Sequence, residues 1–258
     1  MTPPTTVTTI IGLGNPGRRY VHTRHNAGFL VVDALAEHLG ATFRSVREAE
    51  EARADSITLV KPLTFMNASG KIVQRYATKT KPEHILVIHD DLDLPLGRLR
   101  FKFAGSSGGQ RGVQDTISRI GKDFYRLKVG IDRPPAGWEV QRWVLSPFQN
   151  SEQDLLAEVI TAARDAVLLA LDKGINHAMG HYNGRDLRVP DKPQQASSTP
   201  SSLISSSPTS SSQKSTSSPS GSLTKVMSAL TQTAPDAQQS TPVSTQTTPD
   251  NNTSDNNT

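Results

Sequence analysis

The chain has 258 residues, a formal net charge of +4 and no cysteine, and 34% of it is hydrophobic. Without cysteine there are no disulfide staples, thiol nucleophiles or thiolate-bound metals, and no stretch approaches the ~18 consecutive apolar residues of a membrane-spanning helix. The low apolar fraction is local. From Pro190 onward the sequence is mainly Ser, Thr, Pro, Gln and Asn, with no aromatic residue, and such a composition does not offset the entropy of ordering. The expected organisation is a flexible N-terminus (1–6), one domain (7–185) and a disordered tail (186–258). From Pro190 the tail carries three lysines against four aspartates, a net of −1, which leaves +5 for the rest. That balance suits a polyanionic partner. Met1 to Thr9 has no basic region or apolar run of signal length, so the expectation is a soluble cytoplasmic protein.

In chain order, Val7 to Leu13 reads as a strand that runs into a glycine loop. Phe29, Val32, Ala36 and Leu39 then share one face of a helix that Gly40 can end. Ile57 to Val60 and Ile85 to Ile88 are short apolar runs of the central-strand kind, and Ile72, Val73, Tyr76 and Ala77 form a helical stripe between them. Strict alternation follows in Arg98-Leu99-Arg100-Phe101-Lys102-Phe103 and in Arg126-Leu127-Lys128-Val129, which predicts strands with all the cations on one sheet face. A helix marked by Val113, Ile117 and Ile120 lies between them, opened by the turn Gly105 to Gly109. A long helix is expected from a capping Ser151, with Asp154 three residues on, to Gly174, and a short one around Ile175 to Met179. The order predicts a single α/β domain with a mixed, mostly parallel twisted sheet flanked by helices.

Gly12, Gly14 and Gly17 match the G-x-G-x-x-G spacing of dinucleotide sites, but Pro16 and the polar stretch to Asn26 delay the helix to about Ala27, and Asp33, the acidic residue nearest the ribose spacing, lies inside that helix. His22 and His25 lack the further ligands of a zinc site. Asp90 follows a central apolar run, where a strand delivers a carboxylate to the carboxyl edge of a sheet. A carboxylate beside His25 would fix its tautomer for general-base work on water. Asn15 and Asn67 are neutral groups able to orient a water and an oxyanion, or simply turn residues. No serine sits in a nucleophile-elbow pattern, which favours direct attack by water. The cationic strands beside the glycine turn and Arg111 make a candidate phosphate surface.

These segments together resemble the bacterial-type peptidyl-tRNA hydrolase family. The resemblance rests on Gly12-Leu13-Gly14-Asn15-Pro16-Gly17, Tyr20, Thr23-Arg24-His25-Asn26-Ala27-Gly28, Lys61 to Gly70, His89-Asp90-Asp91-Leu92-Asp93-Leu94-Pro95, Ala178-Met179 and Tyr182-Asn183, in order from about Val7 to Arg185. It implies hydrolysis of the ester joining a peptide to the 3′ end of tRNA, with tRNA as partner, no cofactor or metal, and a monomer. By position, His25 is similar to the family's general base and Asp90 to its supporting carboxylate. Asn15, Asn67, Met66 and Tyr20 match the peptide and water crevice, and Lys102 and Lys128 the clamp for the tRNA 5′-phosphate. One departure is plain. Where the family usually has His-Asn after Gly-Gly, this chain has Gln110-Arg111, so the substrate-contacting position is filled by Arg111, which grips phosphate or stacks on a base but accepts no hydrogen bond. The rival expectation is a non-catalytic RNA-binding module of the same fold.

Overall fold

A computed structural model describes residues 7–189; segments 1–6 and 190–258, where the flexible N-terminus and most of the disordered tail were expected, lie outside the described residues. Seven strands form one sheet: β1 (Thr9–Gly12), β2 (Arg44–Ser45), β3 (Ala49–Ala54), β4 (Ile57–Pro62), β5 (Ile85–Asp91), β6 (Leu99–Phe103) and β7 (Tyr125–Gly130). Among the described residues six α-helices accompany them: α1 (Ala27–His38), α2 (Ser69–Ala77), α3 (Arg111–Ile120), α4 (Val140–Val144), α5 (Gln153–Lys173) and α6 (Ile175–Tyr182). The strand order is β2-β3-β4-β1-β5-β7-β6. The four central strands β4, β1, β5 and β7 are parallel, and antiparallel pairing is confined to β2–β3, β3–β4 and β6–β7. The sheet is therefore mixed, with a mostly parallel centre.

Both faces are covered. Leu86, Ile88, Leu127 and Val129 pack with α1, α5 and α6 on one side, and Ile85, Val87 and Phe124 pack with α2 and α3 on the other. All seven residues of β5 are buried, as expected for a strand between two helical layers. Full burial of each of its aliphatic side chains contributes roughly 1.5–3 kcal/mol. Gly28 sets how closely α1 approaches the sheet. A Cβ there would stand 2.4 Å from the Ile88 carbonyl oxygen and 2.5 Å from the Leu13 nitrogen.

Four expectations need correction. The sequence suggests no strands between α1 and β4, yet β2 and β3 form an antiparallel edge there; Ala49-Glu50-Glu51-Ala52-Arg53-Ala54 lacks β-branched residues and follows the register of β4. The cap before α5 lies at Gln149, reciprocated by Glu152, rather than at Ser151. Glu152 also receives the buried Arg24 guanidinium at 2.7 and 3.1 Å, a tertiary tie that fixes the cap. Arg126 belongs to the cationic face by register, opposite Lys102, but is fully buried. Its guanidinium donates to the Ser106 carbonyl at 2.7 Å and to that of Ala104, holding the glycine turn over the strand. Residues 186–189, assigned to the tail, are bound to the domain: Asp186 bridges to Arg98, and Leu187 N donates to the Gly97 carbonyl at 2.9 Å. Among the described residues no helix is long and apolar enough to cross a membrane.

Candidate active site

The parallel strands β1 and β5 run side by side until β1 ends at Gly12 opposite Ile88, with β5 continuing to Asp91, and the loops leaving them form a crevice at the carboxyl edge of the sheet. Its volume is about 640 Å³. Asn15, Tyr20, His25, Met66, Asn67, Asp90 and Arg111 all line it, so the structure brings seven of the nine sequence-derived site residues together. Lys102 and Lys128 stand outside this wall, on β6 and β7. They lie on one face of the sheet, as alternation required, but Lys128 is largely buried and ion-paired with Asp91, whereas Lys102 is exposed.

Each crevice group is held by its surroundings. Asn26 clamps the first loop, its Oδ1 accepting from Asn15 N at 2.8 Å and its Nδ2 donating to the Asn15 carbonyl at 3.0 Å. Asn15 Oδ1 accepts from Met66 N at 2.8 Å, which ties the loop after β1 to the 3-10 turn Met66–Ala68 and leaves the Asn15 amide NH₂ without a partner among the described residues. Arg24, fully buried, stacks 3.7 Å over the Trp143 ring and pairs with Glu152. A guanidinium held by a fork and a ring face has little freedom, so the turn Arg24–Asn26 that carries His25 is fastened to α4 and to the start of α5. Tyr20 meets Phe65 edge-on at 6.4 Å between centroids, and Phe65 is 55% exposed at the mouth.

The pleat of β5 sends Asp90 and Asp91 to opposite faces: Asp91 to Lys128, Asp90 to His25. His25 Nδ1 lies 2.8 Å from Asp90 Oδ2. Burial pushes the His25 pKa down and Arg111 adds to that, but the Asp90 charge and hydrogen bond outweigh both and leave it raised above 6.5. Burial pushes the Asp90 carboxyl up, and the charge and hydrogen bond of His25, with a hydrogen bond from Gln110, bring it below the usual carboxylate range. An imidazole whose Nδ1–H is committed to a carboxylate presents Nε2 as its basic atom. Ser69 opens α2 with its hydroxyl buried, not presented to the crevice.

The far wall escaped the sequence reading. Glu139, Val140 and Leu145, on and beside α4, face the crevice; the segment 131–150 has too short a periodic pattern to announce them. Gln110 was seen only as a departure from a signature, yet it donates to Asp90 Oδ1 at 3.0 Å. Its place directly before a helix was the available signal.

A mixed α/β sheet with a polar crevice at the carboxyl edge of its central strands, holding a paired imidazole and carboxylate, is a setting in which a water can be activated. The sequence model described as Peptidyl-tRNA hydrolase matches residues 9–190. Peptidyl-tRNA hydrolase of Desulfitobacterium hafniense is 46% identical over 181 residues, which is 67% of this chain and 98% of the relative. That of Thermus thermophilus is 44% identical over 183 residues, covering 70% and 98%. The crystal structure of peptidyl-tRNA hydrolase from Acinetobacter baumannii superposes with a TM-score of 0.67 at 34% identity, covering 72% of this chain and 99% of that one. The chain belongs to the peptidyl-tRNA hydrolase family.

Proposed function

We propose that this protein hydrolyses the ester between a peptide and the 3′ ribose of tRNA by direct attack of water activated by His25, returning tRNA from stalled or dropped-off translation products. The observation that carries the mechanism is the 2.8 Å contact between His25 Nδ1 and Asp90 Oδ2 at the crevice wall. His25 Nε2 takes a proton from water as the water oxygen bonds to the ester carbonyl carbon. The tetrahedral oxyanion collapses, the carbon–O3′ bond breaks and the proton passes to O3′. Peptide carboxylate and tRNA with a free 3′ hydroxyl leave. The Asn15 NH₂ and the Asn67 amide serve the oxyanion and the peptide backbone, with Met66 and Tyr20 flanking the peptide. Arg111 meets the substrate near its 3′ nucleotide through charge or stacking. Lys102 and Lys128 receive the 5′-phosphate; for Lys128 the phosphate displaces or joins Asp91.

The same reading has the enzyme working in the cytoplasm, where peptidyl-tRNA arises, and as a monomer, since one chain supplies the whole crevice wall. Its catalytic domain begins at residue 7 and includes the short stretch after 185 that bonds back to Gly97 and Arg98, with the remainder of the tail an appendage. The test is release of peptide from N-blocked aminoacyl-tRNA by wild type, His25→Ala and Asp90→Ala at equal protein. Rapid release that is lost in His25→Ala and sharply reduced in Asp90→Ala is expected. Undiminished release by His25→Ala would refute the assignment of the base.

A further inference from the structure

We propose that Gln110, the residue directly before α3, is a positioning residue for the His25–Asp90 pair: the helix orients its amide, and the amide delivers a hydrogen bond to the Asp90 oxygen that His25 leaves open. The inference rests on the reading of His25 as general base. Gln110 Oε1 accepts from Val113 N at 2.7 Å as the cap of α3. With the oxygen held by a helix amide, the NH₂ must point the other way, and there it meets Asp90 Oδ1 at 3.0 Å and Met66 Sδ at 3.1 Å. The flipped amide would set NH₂ against the Val113 N–H and oxygen against the carboxylate, turning both contacts repulsive. The capping bond therefore selects the donor that Asp90 receives.

Asp90 is 2% exposed, and an ionised oxygen buried there without a donor is costly. Gln110 supplies that donor, so the carboxylate cannot rotate away from the ring, and a line of hydrogen bonds runs from the start of α3 through Gln110 and Asp90 to His25. Sharing its charge between two donors also limits how strongly Asp90 holds the proton of His25. An amide does not titrate, so its hold on Asp90 is constant with pH. The other charged or titratable groups acting on the pair are Arg111 of α3, which acts on His25, and His89, which acts on Asp90 from the same strand.

The experiment uses the full chain, with Gln110→Ser, whose hydroxyl still caps the helix but does not reach Asp90, and the isosteric Gln110→Glu. The kcat, KM and pH profile on N-blocked aminoacyl-tRNA are measured beside His25→Ala, with thermal unfolding to establish that each variant is folded. Gln110→Ser is expected to lose about tenfold in kcat with KM changed by no more than about twofold. The acid limb of its profile should move to higher pH, because Asp90 with one donor fewer holds the His25 proton more tightly. Gln110→Glu, which adds a negative charge, should move the limb further. A folded Gln110→Ser with wild-type kcat, or with reduced kcat and an unmoved limb, overturns the proposal; the first result would mean that Gln110 only caps the helix, the second that it acts on the rate without acting through the His25–Asp90 pair. Wild-type activity in His25→Ala would instead bring down the base assignment, and the role of Gln110 with it.

Discussion

His25 is held between a carboxylate that raises its proton affinity and a burial and cation that lower it. A general base works when neutral, so kcat/KM should fall as pH drops through a midpoint above 6.5. Asp90→Asn removes the raising charge and leaves burial and Arg111 in place. Its acid limb should move below the wild-type midpoint while the rate falls by about 10²-fold or more, since the tautomer is no longer enforced. Arg111→Ala removes a lowering influence, so its limb should move up. These opposite displacements are read in one pair of pH–rate profiles, and limbs that stay put would mean that His25 is not the titrating group. At this scale the sequence was informative for Asp90, which stands just beyond the apolar run Ile85 to Ile88 and so emerges at the carboxyl edge of the sheet, whereas His25 lies in a polar stretch and was singled out through the carboxylate it could meet and the motif around it. The direction of the Gln110 amide was not legible, because it depends jointly on a helix N–H three residues ahead and a carboxylate 20 residues back in sequence.

The element that concentrates the site's demands is β5, which is buried throughout and ends in His89, Asp90 and Asp91. Burial pushes the His89 pKa down to about 4 against the pull of Asp90, and its Nδ1 donates to the Asp90 carbonyl at 2.7 Å. Between about 4 and 6.5 the unfolded chain binds a proton there that the folded chain does not, so stability should fall as pH drops through that window, by on the order of 3 kcal/mol at most. Urea unfolding at a series of pH values checks this, and a non-titrating His89→Asn variant should flatten that part of the slope. The contact of α1 with β1 and β5 carries a second expectation. Gly28→Ala sets a methyl against the Ile88 carbonyl and the Leu13 backbone, which should cost about 2–4 kcal/mol, seen as a lower denaturant midpoint. Peptide release should fall as well, because the displaced helix begins two residues after His25. The central elements were legible because apolar runs and helical stripes are dictated by burial. The strand β3, next to the edge, was not, since its Glu-rich sequence takes its conformation from pairing with β4, and the cap before α5 was misplaced because Arg24, far away in sequence, engages Glu152.

Across the whole molecule the excess of positive charge belongs to the chain before Pro190, while the segment from Pro190 carries three lysines and four aspartates. Much of the cationic side chain in the domain is already committed: Lys61 to Asp33 and Glu50, Lys128 to Asp91, Arg24 to Glu152. Arg100 and Lys102 project from β6 on its exposed side. If two or three phosphates are neutralised on binding, the affinity for tRNA should fall with salt at a log–log slope of about 2 to 3, and Lys102→Ala should lower that slope by about one and raise KM while leaving kcat near wild type. Lys128→Ala should act less cleanly, because it also leaves Asp91 buried without its cation. A chain ending at Pro190 retains every described contact, including the Arg98–Asp186 pair, and loses a segment of net charge −1. Its KM and salt slope should therefore match those of the full chain. A shallower slope with a higher KM in the shortened chain would instead mean that the lysines beyond Pro190 reach the RNA, and that the tRNA-binding surface extends past the α/β domain.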